Sequence, residues 1–157
     1  MSIPDPTLRL AAILCAAVAL LTVSPALADT NPAGAEPFKG DAILRAFHGK
    51  EGIDRMTDDF VDRLVADPRI GARFRNANLV RLRLELKHQF CYVAGGPCTY
   101  DGKTMTAAHA GMNLTNRDFN ALVEDLQHAM DKERVPFTAQ NQFLAKFAPM
   151  QHPIVTK

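Results

Sequence analysis

The segment from Cys91 to Phe119 places the strongest constraint on the fold, because it separates two helical patterns with a long loop. It opens with Gly95-Gly96-Pro97, which ends any helix that precedes it. Thr115 then provides an N-cap for the helix that follows. Between these points stands one histidine, His109, flanked by small residues. The segment therefore predicts a loop with barely one turn of helix, which presents an imidazole beside open space.

Apolar residues outside this segment recur at a spacing of three and four, which is typical of amphipathic helices. The spacing is regular in the stretch from Ile53 to Ala66, and again after Asn78, which we read as an N-cap. Thr115 begins a long helix, and Pro136 precedes the last one. No stretch alternates apolar and polar residues with the period of two that strands show. The sequence predicts an all-α domain of about five main helices packed as crossed pairs.

The N-terminal residues 1–28 have the features of a secretory signal peptide. Arg9 precedes an apolar run, and Ala26-Leu27-Ala28 matches the small residues that a signal peptidase recognises. Cleavage there would place the mature protein in the periplasm or outside the cell, without a membrane contact. A retained signal-anchor is the alternative.

The mature chain divides into a short linker and one domain. Residues 29–37 are turn formers with little to bury, so we expect a disordered linker there and a globular domain at residues 38–157. A net charge of +1 gives no basic surface of the kind that nucleic acids require. Cys91 and Cys98 can form a disulfide after export or stay reduced, and the sequence leaves both states open.

The small residues beside His109 leave room for a large planar group. A haem needs one proximal imidazole, an apolar slot and an open sixth coordination position. The order of four segments, RIGARF, NLVRLRLELKHQF, GGPCTYDGKTM and AAHAGMNLTNRDFNALVEDL, resembles the group 1 truncated haemoglobins of the globin family. The resemblance has no gap from Asp59 to Leu126 and is looser from Ile43 to Val155. It implies a truncated globin fold, a two-over-two helical sandwich that holds haem b.

The resemblance also implies the residues of the site. His109 matches the proximal iron ligand. Arg83 is a candidate partner of a haem propionate because of its charge alone, and the alternative is that it is a solvated residue on the helix surface. Other matches to haem-contacting positions are Phe74, Leu82, Leu86, Phe90, Tyr100, Met105, Leu114 and Phe119. The distal ligand pocket is matched by Phe60, Val61, Leu82, Glu85 and Leu86.

Two positions depart from the pattern of the family. Many members have a tyrosine in place of Val61 and a glutamine in place of Leu86, and these side chains donate hydrogen bonds that slow the release of oxygen. Both residues are aliphatic here. Each lost donor removes ~1.5–3 kcal/mol of stabilisation, so we expect faster oxygen release. Glu85 is a polar candidate on this side, and an ionised carboxylate accepts but does not donate. His88 is a second candidate, although on a straight helix it points away from the stripe of Leu82 and Leu86, as a residue of a solvated face does.

We therefore expect a haem b protein that reversibly binds oxygen or other diatomic gases. A haem-dependent nitric oxide dioxygenase or a peroxidase-like enzyme is an alternative, and it requires a reductant that the sequence does not identify. The rival from another class is a haem-free helical binding module with an apolar pocket.

Overall fold

A computed structural model of the protein describes residues 31–157. The leader predicted at residues 1–28 lies outside the described residues. The helices are α1 (Ala42–Ala46), α2 (Gly49–Ala66), α3 (Leu79–Val93), α4 (Met105–His109), α5 (Asn116–Lys132), α6 (Phe137–Phe147) and α7 (Gln151–Ile154). Within residues 31–157 the β-structure is one isolated bridge, which pairs Leu114 with Val155. The predicted all-α class is confirmed.

The predicted helix caps are present at the two helices that border the long loop. The side chain of Asn78 accepts a hydrogen bond from the backbone N–H of Arg81 at the start of α3. Thr115 and Asp118 form a reciprocal capping box at the start of α5. Such side chains satisfy backbone N–H groups that have no partner within the helix. Both helices therefore begin where local sequence chemistry places them.

Helix α2 lies at the centre of the packing and contacts both α3 and α5. Its buried stripe includes Phe60, which is one member of an aromatic cluster in the core. The ring centroids of Phe60 and Phe90 are 6.0 Å apart, and Phe90 lies 5.6 Å from Phe143 and 5.5 Å from Phe147. This cluster joins α2, α3 and α6 on one side of the domain. None of the helices described here has the length and apolar character needed to cross a bilayer.

The end of α3 is fixed by a backbone turn and by a covalent bond. Gly95 has φ +80°, and Gly96 donates a backbone hydrogen bond to Cys91 at 2.8 Å. A Cβ atom at position 95 would lie 2.5 Å from the carbonyl oxygen of Gly40, so this position requires glycine for two reasons. Cys91 and Cys98 form a disulfide, which decides the alternative that the sequence left open.

Residues 31–37 differ from the disordered linker that we expected. Ala33 is 1% exposed and belongs to the hydrophobic core. The side chain of Asn31 donates to the backbone oxygen of Ala35 at 3.0 Å and to the hydroxyl of Tyr92 at 3.3 Å. A turn-forming composition predicts a segment with little to bury. In the folded chain, however, small residues allow this segment to lie closely against its neighbours.

Candidate functional site

His109 is the last residue of α4, and one of its ring nitrogens is already engaged. Its Nδ1 lies 2.8 Å from the backbone oxygen of Met105. A carbonyl oxygen only accepts, so Nδ1 carries the proton and the neutral ring keeps the lone pair of Nε2 free. A hydrogen bond of this kind fixes both the tautomer and the orientation of a metal-binding imidazole. His109 is thus arranged to bind a metal through Nε2.

The middle of α3 contributes apolar side chains that the protein leaves partly exposed. Leu82 and Leu86 lie one turn apart on the same face of α3, and both are half-buried. Phe74 ends the short 3₁₀ helix before α3, and Phe119 lies in the first turn of α5; both are also half-buried. Exposed apolar area has a free-energy cost in water, and an apolar ligand would remove that cost by covering it.

Three predicted positions are buried more deeply than these. Phe60 and Val61 on α2 are 1% and 0% exposed. Phe90, 3% exposed, lies in the aromatic cluster of the core, where it contacts Phe143 and Phe147. Val61 therefore presents only methyl groups to its neighbours, and Phe90 is part of the hydrophobic core.

Three more of the predicted residues lie in α4 or in the loops on either side of it. Met105 opens α4 and is 9% exposed. Tyr100 donates through its hydroxyl to the backbone oxygen of Lys103 at 3.0 Å, and burial together with the charge of Glu85 raises the pKa of its phenol. The backbone oxygen of Leu114 accepts hydrogen bonds from Thr156 and Lys157, so the C-terminus lies beside the loop that follows His109.

The two charged residues predicted for the site, Arg83 and Glu85, are paired with other groups of the protein. Arg83 donates from Nη1 to the backbone oxygen of Asp58 at 2.6 Å and from Nη2 to Asp62 at 2.5 Å, which binds it to α2. Glu85 pairs with Arg81 at 3.4 Å and lies beside the turn at Gly102. The predicted propionate and distal roles gain no support from these contacts, because helix positions alone did not show which charges lie opposite.

Sequence reasoning missed Gln89, which is 5% exposed and joins three segments. Its Nε2 donates to the backbone oxygen of Ala33 at 2.8 Å and lies 3.3 Å from the sulfur of Met105. The signal was present in the sequence. Gln89 follows Leu82 and Leu86 on the apolar stripe of α3, and a polar residue there needs a buried partner.

A sequence model of the bacterial-like globin family matches residues 43–156. The chain belongs to the bacterial-like globin family.

Several globins of the truncated type are similar to this chain. A group 1 truncated haemoglobin of Tetrahymena thermophila is 31% identical over 88 residues, which cover 56% of this globin and 73% of the relative. One from Mycolicibacterium paratuberculosis is 28% identical over 115 residues, covering 73% and 85% of the two chains. The crystal structure of truncated haemoglobin from Tetrahymena pyriformis in its Fe(III) form has a TM-score of 0.70 and 26% identity, covering 73% of this chain and 98% of the other.

The two-over-two fold implied by the resemblance is confirmed. A 2/2 haemoglobin from Synechococcus matches with a TM-score of 0.67 over 73% of this globin and 98% of the other chain. At 20% identity this second structure shows the fold alone. The residues of the present globin also fit a haem, since one imidazole offers Nε2 and apolar side chains of α3 and α5 are left for a flat apolar ligand to cover.

Proposed function

We propose that this globin is a group 1 truncated haemoglobin that binds oxygen and other diatomic gases reversibly on haem b. When bound, haem supplies an iron with an open coordination position. The observation that carries the proposal is the bond between His109 Nδ1 and the Met105 carbonyl oxygen at 2.8 Å. It leaves Nε2 as the nitrogen that would hold the iron.

The protein's own contribution is to bind, to orient and to exclude water. His109 would hold the iron, and Leu82, Leu86, Phe74 and Phe119 would cover the apolar faces of the porphyrin. Phe60 and Val61 keep the adjoining part of α2 dry, because both are almost completely buried. Iron ligation and apolar contact together would retain the haem without a covalent link.

The side chains of the distal pocket predict weak rather than tight binding of oxygen. Val61 and Leu86 have no polar atoms in their side chains. Thr57 lies one turn before Val61, and its hydroxyl already donates to the backbone oxygen of Ile53 at 2.7 Å. Without a donor beside the gas, oxygen should leave quickly.

Absorption spectra of the purified protein test the haem assignment. Protein produced with haem should be red and show a Soret band, and His109→Ala should lose or strongly weaken it. His128→Ala is the matched control, since His128 is an exposed histidine on α5. A colourless wild-type protein that refuses added haem would instead support the haem-free binding module, and equal spectra for His109→Ala and the control would exclude His109 as the ligand.

We also propose that the protein acts outside the cytoplasm. Two observations support this: the leader-like residues 1–28, and the Cys91–Cys98 disulfide, a bond that persists in oxidising compartments. N-terminal sequencing of protein recovered from the periplasm or the medium should begin at Asp29. Recovery of an uncut chain from the membrane fraction would favour the retained signal-anchor.

A further inference from the structure

The segment of residues 31–38, which we name the N-terminal strap, is tied to the second half of α3. The Asn31 side chain closes a local turn, because its Oδ1 accepts from the backbone N–H of Ala33 at 3.0 Å. The same side chain donates to Tyr92, and the backbone N–H of Phe38 donates to Val93 at 2.9 Å. Both ends of the strap are therefore bound to α3.

The middle of the strap reaches the residue that orients His109. The carbonyl oxygen of Ala33 accepts from Gln89, whose amide nitrogen also lies 3.3 Å from the sulfur of Met105. Gln89 and Ala33 are both buried, at 5% and 1% exposure. Breaking this contact would leave the buried amide with only the sulfur of Met105, a weak acceptor, which has a free-energy cost.

Gly34 brings the strap backbone directly against Met105. A Cβ atom at this position would lie 2.8 Å from Cγ of Met105 and 2.5 Å from Cε of Met150. The terminal methyl of Met150 can swing aside, since it is the flexible end of its side chain. Cγ of Met105 is near the start of its side chain, so either Met105 would have to change its rotamer or α4 would have to shift.

We propose that the N-terminal strap is a positioning element for the proximal histidine. It acts through Met105: the strap and Gln89 hold the side chain of Met105, and the backbone oxygen of Met105 holds the imidazole of His109. The inference rests on the proposed role of His109 as the iron ligand. It assigns to residues 31–38 a function in setting the angle and the strength of the iron–histidine bond.

Two glycine substitutions provide a matched test. Gly34 and Gly40 have φ of +77° and +73°, so alanine strains the backbone similarly at both positions. A Cβ atom at Gly40 would meet nothing within 4 Å, whereas one at Gly34 meets Met105. We expect Gly34→Ala to shift the iron–histidine stretching band of the ferrous protein and to accelerate haem loss about tenfold, a usual effect of disturbing an outer-shell partner. Gly40→Ala should change neither.

Hydrogen exchange of the haem-free protein provides a readout that does not depend on the cofactor. The backbone amides of α4 should lose protection in Gly34→Ala and keep it in Gly40→Ala. Asn31→Ala releases the strap without adding atoms, and it should also lower the protection of the α4 amides. This variant tests the proposal if Gly34→Ala does not fold.

The outcomes separate the strap from the haem assignment. If both glycine variants behave alike, or if Asn31→Ala leaves α4 protection and the iron–histidine band unchanged, the strap does not position His109. The haem assignment would then stand, because His109→Ala tests it separately. A wild-type protein that binds no haem would overturn both.

Discussion

Arg73 and Asp118 are joined by two parallel hydrogen bonds, from Nε to Oδ1 at 2.9 Å and from Nη2 to Oδ2 at 2.7 Å. The third nitrogen of the guanidinium donates to the backbone oxygen of Met112 at 2.9 Å. Asp118 also belongs to the capping box of α5, and Arg73 immediately precedes Phe74. This pair therefore fixes the loop after His109 to the corner that carries one of the proposed haem contacts.

Replacing Arg73 by lysine should loosen this junction. Lysine provides a single point charge and cannot reproduce the planar fork that bonds the carboxylate twice. We expect Arg73→Lys to lower the free energy of unfolding by about 1 kcal/mol, the upper end for partly exposed pairs. Urea denaturation at pH 7 measures the change. Arg117→Lys, at an exposed arginine of α5, should have no comparable effect.

The effect of Arg73→Lys should depend on pH in a defined direction. Burial alone would raise the pKa of Asp118, but hydrogen bonds from Arg73 and Thr115 outweigh burial and lower it. A carboxylate with a lowered pKa stabilises the fold above its ordinary pKa, and that stability is lost as the pH falls through the lowered value. The difference between Arg73→Lys and wild type should therefore shrink below about pH 4. If the difference in stability between the two proteins stayed constant down to pH 2, the charge of Asp118 would not be its cause.

Asp125 should destabilise the protein at neutral pH. It is 7% exposed, and burial and the charge of Asp67 raise its pKa. A raised pKa means that ionisation is less favourable in the folded state, so stability is lost as the pH rises from the ordinary carboxyl pKa through the raised one. Asp125→Asn mimics the protonated acid and should unfold at higher urea than wild type at pH 7. The two proteins should converge near pH 3, whereas Asp101→Asn, at an exposed carboxylate, should show no such trend.

A hydrogen-bond donor placed at Leu86 should slow the release of oxygen. Leu86→Gln adds an amide on the half-buried face of α3, and a bond of about 1.4 kcal/mol corresponds to a tenfold change in rate. We expect at least that factor in the oxygen dissociation rate, measured by stopped-flow mixing. Leu84→Gln is the matched control, because Leu84 lies on the same helix and is 52% exposed. Equal rates for the two variants would show that the gas does not bind near Leu86.

The Cys91–Cys98 disulfide should stabilise the domain by restricting the unfolded chain. The two cysteines are seven residues apart, and a loop of this size contributes about 2 kcal/mol or slightly more in the chain-entropy model. The double variant Cys91→Ala/Cys98→Ala should unfold at lower urea than wild type by that amount. Added dithiothreitol should lower the stability of the wild type and leave the variant unchanged. A wild type that is insensitive to reductant would show that the bond contributes little.

The local chemistry of the sequence was enough to predict the helices and their beginnings. Asn78 and Thr115 cap helices because their own side chains reach backbone N–H groups a few residues away. The pattern of glycines and apolar residues around His109 also predicted the family, which the match over residues 43–156 confirms. These features depend on residues that are close together in the sequence, so the sequence alone is enough to predict them.

The sequence did not predict the contacts between distant segments. Gln89 and Ala33 are 56 residues apart, and nothing in either segment indicates that an amide of one meets a carbonyl of the other. For the same reason the turn-forming composition of residues 29–37 does not predict the contacts that residues 31–37 make, and the helix position of Arg83 does not predict its partners on α2.

The sequence by itself determined the helical class, the caps and the single histidine in a loop of small residues. Only the tertiary structure decided that Gln89 meets Ala33, that a strap packs on Met105, and that Arg83 is bound to α2. Periodicity and capping are set within one or two turns of chain, whereas hydrogen-bond and ion-pair partners are chosen when distant segments pack and buried polar groups must be satisfied.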